Sequence, residues 1–405
     1  MTIRNWEGAL ALGCALFTAA CGSRAVDTTS NAGRATIQSA ATASNQFGFD
    51  LYQRLRGKDG NLIFSPASAE FALAMTSAGA RGETLAQMES VLHLRGVVQP
   101  HAAFGALLSA LRKRNGREGM TLSIANRLWA QQSLSFNPDF LRTMGDRYDA
   151  PLGRVNFGES QNARDAINRW VAGETRGRIP SLLGDGGVTS DTRLVLANAV
   201  YFKGEWQVAF DPKDTAPGTF RTPGGPVTAD LMHKRGKKYR YRHIDGVQLA
   251  ELPYRGGLSM VIVLPDADDG LAAVEDRLTA NYEGWISELA AKEIDLKIPR
   301  WTTVSEMMLN EPLKDLGMRH ALSDADFSAM TQEKLSISMV VQKAFVQVTE
   351  EGTEAAAATA VILGGIAGIG YLAIPSFHAD HPFLYLIRDP ETGLVLFVGR
   401  VADPR

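Results

Sequence analysis

From Leu194 to Phe202 the chain is apolar at every position except Asn198. That is the pattern of a strand buried on both faces. Ser259 to Leu264 is similar, bounded by Gly257 and Pro265. Ile294, Leu296 and Ile298 alternate with polar neighbours, and so do Leu335, Ile337, Met339 and Val341. Each run predicts a strand with one buried face, the second continuing to Val348. Near the end, Phe383 to Ile387 and Leu394 to Val398 flank Asp389-Pro390-Glu391-Thr392-Gly393, which is turn chemistry, so the chain closes on a hairpin. Helical spacing belongs to the first half. Ser65-Pro66-Ala67-Ser68 opens a helical pattern through Ala78, ended by Gly79. Thr84-Leu85-Ala86-Gln87 has capping-box spacing and predicts a short helix to about Leu92. Ile167, Trp170 and Val171 share one face of a segment from about Asn162 to Thr175. Helices early and strands late predict an α+β fold.

Beyond Val348 the pattern changes. Glu350-Glu351-Gly352-Thr353-Glu354-Ala355-Ala356-Ala357-Ala358-Thr359 leads into a stretch, Ala355 to Phe377, without a charged side chain. Such a segment can be an exposed loop and can also slip between two strands. As a strand it would turn Thr353, Ala355, Ala357, Thr359, Val361 and Leu363 to one face, and Glu354, Ala356, Ala358 and Ala360 to the other. The charge then falls on the outer set, and burying an unpaired charge would cost several kcal/mol. Ala355 to Ile374 is also long enough to cross a membrane. The polar stretch His378 to Pro382 and the closing hairpin argue against that, because two strands beyond a membrane would have no core of their own.

Composition narrows the class. The 405 residues are 45% hydrophobic with a formal net charge of -2. That suffices for a sizeable core and gives no reason to expect nucleic acid as a partner. Both cysteines fall in the first 21 residues, Cys21 closing Thr18-Ala19-Ala20-Cys21 after an apolar run from Ala9 to Ala20. This is the pattern of an export signal over residues 1–21 with a lipobox-like end, Cys21 being the lipidated residue; the alternatives are an ordinary cleaved signal or a short buried helix. The mature chain would then hold no cysteine pair. Residues 22–42, rich in Ala, Ser and Thr, would form a flexible tether to one domain over 43–405.

Five segments resemble the serpin superfamily. They are Asn61-Leu62-Ile63-Phe64-Ser65-Pro66, Asn198-Ala199-Val200-Tyr201-Phe202-Lys203-Gly204-Glu205-Trp206, Glu251-Leu252-Pro253-Tyr254, Glu351 to Thr359, and His381-Pro382-Phe383. Each is weak alone; in this order and at this spacing they are specific, and the resemblance covers roughly residues 45–405. It implies three β-sheets, about nine helices and an exposed reactive loop over about 350–377. It implies a monomer that traps a serine or cysteine protease covalently: the protease cuts the loop, forms an acyl-enzyme and is carried along as the loop inserts into the main sheet. Glu351, Gly352, Thr353, Glu354, Ala355, Ala356, Ala357, Ala358 and Thr359 would be the hinge. By the family's spacing from Gly352, the resemblance implies a scissile bond between Ile366 and Ala367, with Leu363, Tyr371 and Leu372 as alternatives because the following stretch is longer than in many relatives. No Arg or Lys lies in the loop, so an elastase-, chymotrypsin- or subtilisin-like target fits better than a trypsin-like one. The resemblance also implies a polar cluster where the sheet opens, made of Ser65, Ser68, Asn198 and Gln342, with Trp206 at the top of the sheet. Gln342 stands where a histidine is usual; it can still donate and accept, without a pH response.

Other constellations carry less. Lys234-Arg235-Gly236-Lys237-Lys238-Tyr239-Arg240-Tyr241-Arg242 holds six basic residues in nine. It reads as a polyanion-binding patch or as an edge strand shielded by charge. His378 and His381 alone do not make a zinc site, and Asp266-Ala267-Asp268-Asp269-Gly270 lacks the later glutamate of a calcium loop. No nucleophile elbow or phosphate-binding loop occurs. The reading is a protease inhibitor without cofactor or metal, not an enzyme, that meets a membrane only through a lipid anchor. The alternative is a non-inhibitory relative acting as a binding or chaperone-like protein; relatives of that kind commonly carry bulky, charged or proline residues in the hinge, where this chain has four alanines.

Overall fold

The computed structural model describes residues 30–353 and 374–405. Helix α1 (Asn31–Leu55) is capped by Ser30, whose side chain accepts from the Gly33 amide. Residues 31–42, expected as part of a flexible tether, are thus helical. Residues from Asn31 are helical because Ile37, Ala40 and Ala41 bury against the core. Strand β1 (Leu62–Phe64) leads into α2 (Pro66–Ser77), in which every residue is buried. Ser65 caps α2 and Pro66 takes its first turn, where a missing N–H costs nothing. Next come α3 (Gly82–Val91), α4 (Pro100–Arg112), β2 (Met120–Gln131), α5 (Pro138–Thr143), β3 (Gly153–Val155) and α6 (Ser160–Glu174). Helix α3 starts two residues before the expected capping box. Arg81 is its N-cap, and the Thr84 hydroxyl instead accepts from the Asp326 amide.

Strand β4 (Leu194–Glu205) follows, buried along nearly its whole length. Then come β5 (Ala216–Thr222), β6 (Gly225–Ile244), β7 (Val247–Pro253), β8 (Ser259–Pro265), α7 (Leu271–Ser287), β9 (Ala290–Pro299), β10 (Trp301–Met308) and α8 (Asn310–Leu316). The chain ends with β11 (Met339–Val348), β12 (Gly352–Thr353), β13 (Ser376–His378), β14 (Phe383–Arg388) and β15 (Val395–Val401). Leu335 and Ile337 are buried but precede the ladder of β11.

The fold is α+β, with eight α-helices among the described residues. The strands form two hydrogen-bonded sheets where three were expected. One has nine strands, ordered β1-β15-β14-β8-β7-β6-β9-β13 with β5 beside β6; the other has six, ordered β10-β11-β12-β4-β2-β3. The third sheet merges because the 20-residue β6 runs through two of them, pairing β5 and then β7 on one side and β9 on the other. Its ladder with β9 slips between Arg235 and Lys237, the bulge that lets one strand turn from one sheet into the next. Helix α2 sits behind the six-stranded sheet, against β2 and β4, and also meets β15 of the other. Among the described residues no helix is long and apolar enough to cross a membrane.

Candidate functional site

In the six-stranded sheet, β11 and β4 are neighbours and parallel, Met339–Phe345 lying against Val195–Tyr201. Above Phe345 the pairing stops, and β12 occupies the gap. Thr353 pairs with Gly204 of β4 and with Val348 of β11, and Gly352 pairs with Glu205. The chain reverses between them in a tight turn: the Thr349 amide donates to the Gly352 carbonyl at 2.8 Å, and the Gly352 amide to Thr349 at 3.2 Å. The first two residues after the turn are already strand between β4 and β11. Only glycine fits at 352. Its φ is 151°, and a Cβ there would overlap the carbonyl oxygen of Gly204.

Aromatic and charged side chains hold this turn. Trp206 stacks on Tyr254, ring centroids 4.4 Å apart and planes 9° from parallel. The Trp206 indole N–H donates to the Thr349 carbonyl at 3.0 Å, and its backbone N–H donates to the Glu351 carbonyl at 2.8 Å. The Tyr254 hydroxyl lies 2.7 Å from the hydroxyl of Thr353, which is fully buried. Glu350 is 5% exposed; Arg300 meets its carboxylate at 2.5 to 2.9 Å, and the Thr215 hydroxyl donates to it at 2.5 Å. Burial works to raise the Glu350 carboxyl, but the Arg300 guanidinium and the Thr215 hydroxyl outweigh it and hold the group below its usual value.

Lower on the seam lies the polar cluster. Gln342 of β11 bridges both sides: its Oε1 accepts from the Ser65 amide at 2.7 Å, and its Nε2 donates to the Ser65 carbonyl at 2.9 Å and to Asn198 Oδ1 at 2.6 Å. Asn198 Nδ2 donates to the Ser68 hydroxyl at 2.5 Å, and that hydroxyl donates to Asn126 Oδ1 at 2.8 Å. Ser65, Ser68, Asn198 and Gln342 are all buried, so these bonds stand in for lost water. The structure thus joins the four expected cluster residues. Trp206 lies beyond the end of β4 and against the hinge turn, eight residues of extended strand away from Asn198.

Asn126, opposite Asn198 in the β2–β4 register, was not anticipated. Arg300, Thr215 and Thr349 were missed as well. None of these left a clear signal: β2 mixes buried and half-buried residues around Asn126, and the others matter through distant chain segments. Glu351, Gly352 and Thr353 are the hinge residues within the described part. Glu354, Ala355, Ala356, Ala357, Ala358, Thr359, Ile366 and Ala367 lie outside it, as does Cys21.

The basic run lies mostly where β6 is paired on one side only: β9 runs along it, but β5 ends at Leu231 and β7 begins at Arg240, so among the described residues Lys234 to Lys238 have a free strand edge, as the edge-strand reading expects. Lys234 reaches the Ala209 carbonyl, Arg240 bonds Glu251 at 2.5 Å, and Arg242 meets Glu288 at 2.6 Å. His378 bonds Asp295, while His381 bonds Asp380 and the Pro265 carbonyl.

Residues 42–404 match the family model described as Serpin (serine protease inhibitor). Leukocyte elastase inhibitor A of Rattus norvegicus is 39% identical, over 91% of this chain and 100% of its own. An uncharacterized serpin-like protein of Thermococcus kodakarensis is 39% identical, over 90% of this chain and 85% of its own. Among solved structures, a highly specific serpin of the insect Tenebrio molitor superposes with a TM-score of 0.82 at 32% identity, covering 91% of this chain and 99% of its own.

Proposed function

The chain belongs to the serpin family, and on that premise we propose that it is an irreversible suicide inhibitor of serine proteases of elastase-, chymotrypsin- or subtilisin-like specificity, with cysteine proteases as a secondary class. The protease would cut the loop between the hinge and β13, form an acyl-enzyme, and be displaced as the loop inserts along the seam between β4 and β11. The observation that carries this reading is the hinge itself. Gly352 and Thr353 are already seated between those strands, with Thr353 facing inward as the alternation requires. The next inward positions are Ala355, Ala357 and Thr359, and nothing charged has to enter the sheet. The elastase inhibitor among the relatives supports the choice of protease class.

The test mixes purified protein with elastase, subtilisin and trypsin, followed by denaturing gels and intact-mass analysis. A denaturant-stable covalent complex with elastase or subtilisin, plus a released C-terminal peptide starting at Ala367, is the expected result. Clean loop cleavage without a complex by every protease would instead favour a non-inhibitory binding protein. We also propose that the protein is exported and anchored through Cys21, the reading its signal-like N-terminus supports. Cys21→Ser should then lose fatty-acid labelling and leave the membrane fraction; unchanged partition would refute the anchor.

A further inference from the structure

Strands β6 and β7 part beyond the Arg240–Glu251 pair, where their ladder ends. Strand β6 stays with β9, Lys238 opposite Glu293 and Tyr239 opposite Lys292. Strand β7 instead leads towards the end of β4. There Tyr254 bridges to Trp206, and the Gln207 amide donates to the Pro253 carbonyl at 2.8 Å. The two strands follow different partners, and the wedge between them is a pocket of about 550 Å³. The turn from Arg255 to Leu258 and Pro390 of the closing hairpin complete its walls. A volume of that size suits a small organic ligand.

The lining has two characters. Pro253, Tyr254, Leu258, Ala291 and Pro390 supply an apolar and aromatic wall. Lys238, Arg240 and Arg255 bring three cations, against the single carboxylate of Glu251. That carboxylate is buried and fully engaged. Its Oε1 accepts from the Ser259 hydroxyl at 2.6 Å and from Arg388 at 3.0 Å, and its Oε2 accepts from Arg240 at 2.5 Å. Two guanidiniums thus share one negative charge. Arg255 is occupied by Glu118 at 3.2 Å and Glu205 at 4.0 Å. Lys238 is exposed and makes no ion pair or hydrogen bond to a described residue, Glu293 opposite it included. Register sets Lys238, Arg240, Glu251 and Ala291 on one face of the sheet: Arg240 stands opposite both Glu251 and Ala291, and Lys238 is two residues from it. The free ammonium and the shared guanidinium therefore face the same space.

We propose that this pocket binds a small amphipathic organic anion, its acid group held by Lys238 and Arg240 and its apolar body laid against Pro253, Tyr254 and Pro390. An inorganic anion would leave the apolar wall uncovered, and a neutral ligand would leave Lys238 without a counter-charge. Burial of the body supplies affinity, and charge-assisted hydrogen bonds to the acid group supply selection. The Tyr254 hydroxyl also meets Thr353, and its ring stacks on Trp206. An occupant would thus touch a side chain that holds the hinge turn. Binding here is independent of whether the chain traps a protease.

The test is isothermal titration calorimetry of the purified protein with three probes: 2-naphthoate, its neutral analogue 2-naphthalenemethanol, and acetate. The expected result is one 2-naphthoate per chain with a dissociation constant of about 10–100 μM, the scale that a ligand of this size reaches. The neutral analogue should bind at least about tenfold more weakly, since it gives up a charge-assisted hydrogen bond. Acetate, which has no body to bury, should give no heat at the same concentrations. Lys238→Glu reverses the charge at an exposed position and should weaken 2-naphthoate by about tenfold or more while leaving the neutral analogue unchanged. Ala291→Trp, also at an exposed position, should fill the pocket and abolish binding of both. Equal affinity for 2-naphthoate and its neutral analogue overturns the proposal. So does 2-naphthoate binding that survives both substitutions, and so does silence from all three probes.

Discussion

Glu70 is fully buried in α2, with neither carboxylate oxygen bonded to a described group. Burial raises its carboxyl well above the usual 4.5. Tyr148, itself pushed up by burial and by Glu70, is bonded 2.9 Å from His101, which burial and Arg147 push down to about 4. The folded chain thus keeps a proton on Glu70 that the unfolded chain releases above about pH 4.5. The stability this confers is complete below that pH and is lost as pH rises through the folded value. Glu70→Met, similar in shape and apolar, should stabilise the protein by about 1–2 kcal/mol at pH 8 and flatten the alkaline limb; urea midpoints at pH 6 and pH 9 would show it. Glu350 has the opposite sign. Its folded carboxyl lies below 4.5, so its contribution is present above pH 4.5 and fails as pH falls through the folded value. Arg300→Ala should cost on the order of 1 kcal/mol at pH 7, a modest figure because the Arg300 side chain is 42% exposed. In that variant the loss between pH 7 and pH 4 should shrink, and an unchanged acid limb in thermal melts would remove Arg300 from the hinge.

Between elements, the seam is held by little. Strands β4 and β11 share one parallel ladder, and Gln342 bonds both Ser65, at the start of α2, and Asn198 on β4. Gln342→Ala would leave the Ser65 amide and Asn198 Oδ1 unpartnered, a cost of about 1–3 kcal/mol. Because the loss lies on the seam, spontaneous conversion to a heat-stable, non-inhibitory form should accelerate severalfold, read as activity decay at 37 °C; decay at the wild-type rate would show that the cluster does not gate the sheet. Thr353→Arg tests the other side of the seam. The hydroxyl is fully buried against Tyr254, so a guanidinium there must be expelled or buried unpaired. The variant should be cut as a substrate, its stoichiometry of inhibition rising well above one, and a wild-type stoichiometry would defeat the insertion argument. Strand β4 and the closing hairpin were legible because burial on both faces leaves an unbroken apolar run. The pairing of Asn126 with Asn198 was not, since β2 mixes buried and half-buried residues without clean alternation. The start of α1 was hidden for a different reason: Ala, Ser and Thr bury easily in tertiary contacts yet give no hydrophobic period.

At the scale of the molecule, the two sheets differ in what they have left to gain. The nine-stranded sheet buries β14 and β15 completely, and its order leaves no gap. In the six-stranded sheet, β12 is two residues long and stands between β4 and β11 with their remaining contact zipped directly below it. A strand continuing from Thr353 would break one parallel ladder and make two antiparallel ones. Extending β12 by about ten residues offers roughly twenty new backbone hydrogen bonds for the seven register pairs given up, each new bond worth about 0.5–1.5 kcal/mol net. Ordering those residues opposes this by about 1–2 kcal/mol each. The two terms are of the same size, so hydrogen bonding alone does not decide the balance; what the inner face buries does, and its side chains are small and uncharged. On the proposed mechanism, connectivity holds insertion back in the intact chain, since the chain after the loop is tied at β13, which is paired to β9 in the other sheet. Cutting the loop removes that tie. Cleavage by subtilisin without trapping, at low temperature, should therefore give a two-chain protein whose melting temperature is higher by about 10 °C or more, followed by circular dichroism. The rise should vanish in Thr353→Arg, whose first inward residue cannot enter. A cleaved wild-type protein melting with the intact one would mean that the open position beside β12 stores no free energy, and the trapping mechanism would have no driving force.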